Sequence, residues 1–229
     1  RQVQTHPQIL PYLGDSNSQY DCWGDNVSRT ISPMGVVSPH LEGITPDKTV
    51  NDWLEHGAWL TDGSQVEVPE GMSAREWLAD YYFKHYSEQY QTDLASFCTH
   101  SEIMDSILYS LFPNFAPWAG FHPNLTYRMK PYGDNHEMCT MEIIVLMRFP
   151  EGQERPADCP VHKLGKDQLF SEAPGLEGGL GRVFDQDFSN LKMVQKGLKN
   201  LQSGEVVLAN YQEVRIRHFH QTLDKYINA

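Results

Sequence analysis

No stretch of this chain runs for the ~20 consecutive apolar residues that a membrane-spanning helix needs. Cysteine is scarce: Cys22, Cys98, Cys139 and Cys159 are irregularly spaced, too few to staple a chain of 229 residues, so reduced thiols in a cytoplasmic protein are expected. Basic residues are also in deficit, 18 against 30 acidic ones for a formal charge of -12, and no Lys/Arg stripe is interleaved with aromatics. Nucleic acid and anionic membranes are therefore not expected as partners. No apolar leader with a small-residue cleavage site opens the chain, and it begins at Arg1, as a piece of a longer protein would. Internal repeats and low-complexity tracts are missing, as are a glycine-spaced phosphate loop after a strand and a G-x-S-x-G elbow. Nucleotide-binding and serine-hydrolase chemistry have no anchor.

What is present is an ample supply of core residues, 40% hydrophobic with 11% aromatic, enough for one large domain. His6-Pro7 marks a boundary, because the residue before proline is steered out of the helical region. The polar, turn-rich run from Gly14 to Pro46 suggests short strands around Ile31 and Val36-Val37. Ser73 to Gln91 repeats Trp77, Leu78, Tyr81, Tyr82 and His85 at helical spacing, and Ser101 to Phe112 predicts a second short helix with Ile103, Ile107, Leu108 and Leu111 facing in. LTYRMKPYG and EMCTMEIIVLMRF alternate around a Tyr132-Gly-Asp-Asn turn and predict an antiparallel hairpin. A loop from Pro150 to Gly181 leads into a late helix, and YQEVRIRHFHQTLDKYI predicts a final one with Ile216, Phe219, Leu223 and Ile227 inward. Strands in the middle with helices gathered toward the end imply an α+β protein, an antiparallel sheet covered on one face.

In the late helix, VFDQDFSNLKMVQKGL, the residues Phe184, Phe188, Leu191, Val194 and Leu198 form one apolar stripe. Asp187 falls on that stripe, whereas Asp185, Ser189 and Lys192 share the opposite, wet face. An inward carboxylate needs a partner, since an unpaired buried charge costs several kcal/mol. A metal ion shared with a neutral histidine such as His6 is one answer. A buried Asp–Arg pair, or a carboxylate hydrogen-bonded to backbone, is the other.

Other arrangements point less clearly to chemistry. Cys98-Thr-His100 and Cys159-Pro-Val-His162 have the shapes that hold a Rieske cluster, but the whole predicted hairpin lies between them, and ordinary half-buried or surface side chains are the simpler reading. His218-Phe-His220 could offer two ligands only from a strand, and the segment reads as helix. His136-Glu-Met-Cys-Thr lacks the second histidine of a zincin.

THPQILPYLGDSNSQYD (5–21), LFPNFAPWAGF (111–121) and VFDQDFSNLKMVQKGL (183–198), in this order, resemble the catalytic domain of the large, α subunit of Rieske-type aromatic-ring-hydroxylating oxygenases. The resemblance runs over nearly the whole chain, so residues 1–229 are expected to form one mononuclear-iron catalytic domain. It implies a helix-grip fold of the START/Bet v 1 type, an antiparallel sheet packed against long C-terminal helices. It further implies a mononuclear Fe(II) held by two histidines and one aspartate, with His6 matching the second histidine and Asp187 the carboxylate. Where the pattern H-x4-H-P has its first histidine stands Arg1, which cannot ligate iron. Either that ligand lies upstream in a shifted register, or Arg1 replaces it. A Rieske [2Fe-2S] domain and the acid that bridges cluster and iron would also lie upstream, so this piece alone is expected to be inactive.

Implied partners are O2, an aromatic or other hydrophobic substrate, and a ferredoxin or reductase as electron donor, in a homotrimer or another α3-type assembly. The product would be a cis-diol, or a monohydroxylated or demethylated compound. Leu10, Val183 and Asn114 are the candidate pocket residues, while Phe115 and Trp118 are read as structural. The alternative is a helix-grip domain that binds a hydrophobic ligand without catalysis.

Overall fold

The structure, a computed structural model, describes residues 5–9, 11–13, 18–37, 41–56, 62–121 and 123–229. Six strands form one wholly antiparallel sheet in chain order: β1 Gln19–Trp23, β2 Val27–Ser32, β3 Ser106–Leu111, β4 Phe115–Ala119, β5 Leu125–Tyr132 and β6 Asn135–Val145. Strands β5 and β6 form the expected hairpin, with Tyr127 opposite Ile143 and Arg128 opposite Glu142. The register places Cys22 opposite Ser28, Ser28 opposite Ser110, and Ala116 opposite Tyr127. With side chains alternating at period two, Ser28, Ser110, Ala116, Trp118 and Tyr127 share one face of the sheet, and Arg29, Tyr109 and Arg128 point to the other.

Among the described residues, three α-helices lie between β2 and β3: α1 Pro46–His56, α2 Ala74–Tyr90 and α3 His100–Met104. Two more follow the sheet, α4 Gly179–Lys199 and α5 Val214–Ile227. The start of α2 is fixed by a capping box in which Ser73 Oγ accepts from Glu76 N and the Glu76 carboxylate accepts from Ser73 N. Thr99 and Glu102 repeat the device at α3. Val50, Leu54, Leu78, Ala79, Tyr82, Ile103 and Met104 interlock as the largest buried cluster, so the dense core lies among α1, α2 and α3.

The helix predicted for 101–112 is corrected. It stops at Met104, where Asp105 turns extended (φ -81°, ψ 147°), and the remainder pairs with β2 as strand β3. Ile103, Ile107 and Leu111 fit helical spacing, but Ile107 to Leu111 equally fits a strand, and the ladder with β2 decides. Val36-Val37 is not strand. The stripe on α4 is inward only in its first half: Phe184 is buried, whereas Leu191, Val194 and Leu198 are exposed. On α5 the buried residue is Thr222, and Ile216, Phe219 and Ile227 are exposed.

The turn at Asp105 is an electrostatic hub. Its carboxylate, 4% exposed, accepts from Arg75 Nη1 (2.5 Å) and Nη2 (3.0 Å), from Met34 N (3.2 Å) and from Ser101 Oγ (2.6 Å). Arg75 also donates to the Met34 carbonyl, so one ion pair ties α2, α3 and the chain after β2 together. Removing one partner of a buried pair leaves the other charge uncompensated. Asp105→Ala is expected to cost about 3 kcal/mol in urea unfolding; a change of only a few tenths would show that the hub is not a stabilising contact.

Candidate functional site

Helix α4 is seated from its first turn. A Cβ at Gly181 would come within 2.0 Å of the Leu176 carbonyl oxygen and 2.8 Å of Ser171 Cα, so only glycine lets the helix approach the 171–176 segment this closely. One turn on, the buried Phe184 ring meets Phe170 and Tyr127 at centroid distances of 5.6 and 6.3 Å. Asp185, expected on the wet face, instead accepts from Phe170 N (2.5 Å), Ser171 N (3.3 Å) and Ser171 Oγ (2.6 Å). Its role is to anchor the helix, which leaves the next residues free for other work.

Those residues meet His6. The histidine is 8% exposed, and its carbonyl accepts from Ile9 N to start the short 3-10 turn Pro7–Ile9. His6 Nε2 lies 3.1 Å from Asp187 Oδ1, and Nδ1 lies 2.7 Å from Gln186 Oε1. An amide oxygen only accepts, so Nδ1 carries hydrogen toward Gln186. Gln8 Nε2 donates to the same Gln186 oxygen at 3.0 Å and holds it in place. Consecutive residues of α4 thus engage both ring nitrogens. The His6 pKa is raised, first by its hydrogen bond to Asp187, with burial opposing and Gln186 assisting. His56, at the end of α1, has its pKa lowered by burial and then by the positive charges of His6 and Arg182.

Asp187 is not fully inward. Its side chain is 45% exposed against 11% for that of His6, because α4 leaves the protein's apolar cover after Phe188. Burial of the carboxylate is therefore not what demands a partner; proximity to His6 is the salient fact.

The donor pair fits a metal. Two donor atoms each about 2.1 Å from one ion, and at right angles about it, lie about 3.0 Å apart, close to the observed 3.1 Å. Nε2 is the nitrogen left to face an ion, and an imidazole nitrogen with a carboxylate oxygen suits a divalent first-row metal. Among the described residues no group of three or more His, Cys, Asp or Glu is gathered for a metal.

The other candidates are dispersed. Val183 is half-buried one turn before Asp187. Asn114 stands in the β3–β4 turn, donates to the Met129 carbonyl and lines a separate cavity beneath α5. Leu10 and Arg1 lie outside the described residues. Cys98 packs beside the α1–α3 core, and Cys159 is exposed in the segment after β6. His218, as expected of a helical residue, is hydrogen-bonded, its Nε2 to the Gly24 carbonyl.

Residues 30–229 match the family described as the ring hydroxylating alpha subunit, catalytic domain. The chain belongs to this family. In ring-hydroxylating alpha subunits a mononuclear iron is generally used, and the matched span contains Asp187 but begins after His6, so the place of His6 rests on the geometry above. The six-stranded antiparallel sheet with its helices is the α+β, helix-grip architecture of the ring-hydroxylating catalytic domain. No curated protein and no solved structure matches the chain.

A raised histidine pKa sets the sign of two pH effects. In the metal-free protein the His6–Asp187 pair contributes its full stability below pH about 6.5, and loses it as pH rises through the folded pKa. A metal must displace the same proton, so affinity runs the other way. Fe(II) titrated anaerobically is expected to bind more tightly as pH rises from about 6 to about 8; affinity independent of pH across that interval would exclude His6 as a ligand.

Proposed function

We propose that the chain is the catalytic domain of a Rieske-type non-haem iron oxygenase that hydroxylates an aromatic or other hydrophobic small molecule with O2. His6 and Asp187 supply two ligands of a mononuclear Fe(II). The observation that carries the reading is the 3.1 Å approach of His6 Nε2 to Asp187 Oδ1, two residues 181 positions apart, in a chain of the ring-hydroxylating family.

When bound, Fe(II) supplies the O2 binding and one-electron chemistry that no side chain has. The protein's own contribution is positional. Gln186 takes the Nδ1 hydrogen, which fixes the ring and directs the bare nitrogen outward, and Gln8 holds Gln186. Asp187 brings negative charge to the same point. Tyr127 faces it from the sheet, its hydroxyl kept protonated: burial raises its pKa, Trp118 opposes and the Asp187 charge raises it further, to about 12. The aromatic rings of Phe184, Phe170 and Tyr127 pack together one turn before Asp187 and offer an apolar surface to a substrate. Val183, one turn before Asp187 on α4, is the side chain assigned to choose which carbon faces oxygen; Leu10, four positions after His6 in the sequence, is the second candidate.

Electrons would come from a Rieske [2Fe-2S] domain preceding this segment, fed by a ferredoxin or reductase. The working assembly would be an α3-type trimer. The choice between cis-dihydroxylation and monooxygenation follows from how the substrate lies in the pocket.

Asp187→Ala is expected to lose stoichiometric iron and O2-dependent turnover in the protein with its Rieske domain, while the melting temperature stays within a few degrees, because the side chain is half-exposed. Retained iron with a large fall in melting temperature would instead mark the His6–Asp187 contact as a structural ion pair.

A further inference from the structure

A second polar centre sits on the same face of the sheet, under the start of α5. Arg215, the second residue of that helix, reaches down to two register partners: Nε donates to Ser28 Oγ at 3.2 Å, and Nη2 donates to Ser110 Oγ. Both acceptors are neutral hydroxyls. Arg29, Arg75 and Arg128 each face a carboxylate, but among the described residues none reaches Arg215. Guanidinium carries five N–H donors, so among the described residues both on Nη1 and one on Nη2 meet no acceptor. Burial lowers its pKa, opposed only by Cys22 and Tyr20. A half-buried cation that meets no carboxylate among the described residues leaves room for a ligand to supply the counter-charge.

The surroundings say what that could be. Arg215 borders a cavity of about 370 Å³, in the size range of small-molecule sites, roughly 300 to 1,000 Å³. Its walls include Phe112, Phe115, Ala116, Met129, Ile216 and Phe219. The carboxylate that lines it, Asp25, is engaged by Lys225. Among the described residues, the cavity therefore pairs an apolar wall with one positive charge, Arg215, that meets no carboxylate.

We propose that this cavity is a binding site for a monoanionic aromatic carboxylic acid, its ring against the apolar wall and its carboxylate on the open N–H groups of Arg215. A planar guanidinium favours a carboxylate, which it can meet with two parallel hydrogen bonds. A more highly charged inorganic anion would leave excess charge in an apolar enclosure, and a neutral arene would leave the guanidinium unmatched. The site does not depend on iron, so it stands or falls apart from the oxygenase reading. If that reading holds, Ala116 connects the two: it is opposite Tyr127, whose ring touches Phe184 one turn before Asp187.

The test uses the metal-free chain, so that failure of iron binding cannot obscure it. Benzoate, benzamide and inorganic phosphate are titrated by calorimetry and by thermal shift. Benzoate is expected to bind and raise the melting temperature, with benzamide and phosphate weaker by about tenfold or more. Arg215→Gln is expected to remove that preference, leaving benzoate and benzamide equal. The thermal-shift comparison on the unaltered protein needs no variant, so the proposal remains testable if Arg215→Gln fails to fold. No benzoate binding, equal binding of benzoate and benzamide, tighter binding of phosphate, or an unchanged preference in a folded Arg215→Gln protein would each overturn the assignment.

Discussion

The contact between His6 and Asp187 is the constraint on which the functional account rests. It joins the first described residues to a helix 181 positions later, and it does so through a ring whose two nitrogens are both taken by successive residues of α4. A single hydrogen bond would leave the imidazole free to swivel; two, from Gln186 and Asp187, define its plane. Everything that holds α4 in place therefore also holds the histidine. The close approach at Gly181, the Phe184 ring between Phe170 and Tyr127, and the Asp185 carboxylate on the backbone of Phe170 and Ser171 are three independent anchors within two turns.

The same helix shows how stability and function are divided. Its first half is packed and its second half carries exposed Leu191, Met193, Val194 and Leu198. Tight burial is concentrated among α1, α2 and α3, locked to the sheet by Arg75 and Asp105. That division leaves the sheet face under α4 and α5 comparatively open. A half-exposed carboxylate and an incompletely matched guanidinium both occur there, in positions where a fully packed core would exclude them. Polar groups on that face, Ser28, Thr30, Ser32 and Ser110, replace the apolar residues that a sheet covered only for stability would carry.

How much of this could be read from the residues depends on how local the cause is. The β5–β6 hairpin was legible because alternation and the Gly133 turn are both local signals, and α2 because Trp77, Leu78, Tyr81, Tyr82 and His85 recur at helical spacing. Helix α1 had equally local signals, Thr45 accepting from Lys48 N and Pro46 at the first helical position, but its few apolar positions, Val50, Trp53 and Leu54, make a short stripe. Strand β3 was read as helix because Ile107 to Leu111 satisfies both periodicities and only the ladder with β2 separates them. At the site, the helical stripe drew out Asp187 and the family resemblance matched His6 and Asp187 to ligand positions, while no spacing rule could pair them across the length of the chain. Gln186, Gln8 and Asp185 carried no signal at all: amides and acids on a helix normally face water, and their roles arise only once the 3-10 turn and the 170–176 segment dock against α4.

The central claim is that His6 and Asp187 share one ferrous ion. Anomalous diffraction at the iron edge, from crystals of the chain grown anaerobically with Fe(II), tests it most directly. The account predicts one strong iron peak about 2.1 Å from both His6 Nε2 and Asp187 Oδ1. An iron peak elsewhere, or none with the two side chains still hydrogen-bonded at 3.1 Å, would contradict it.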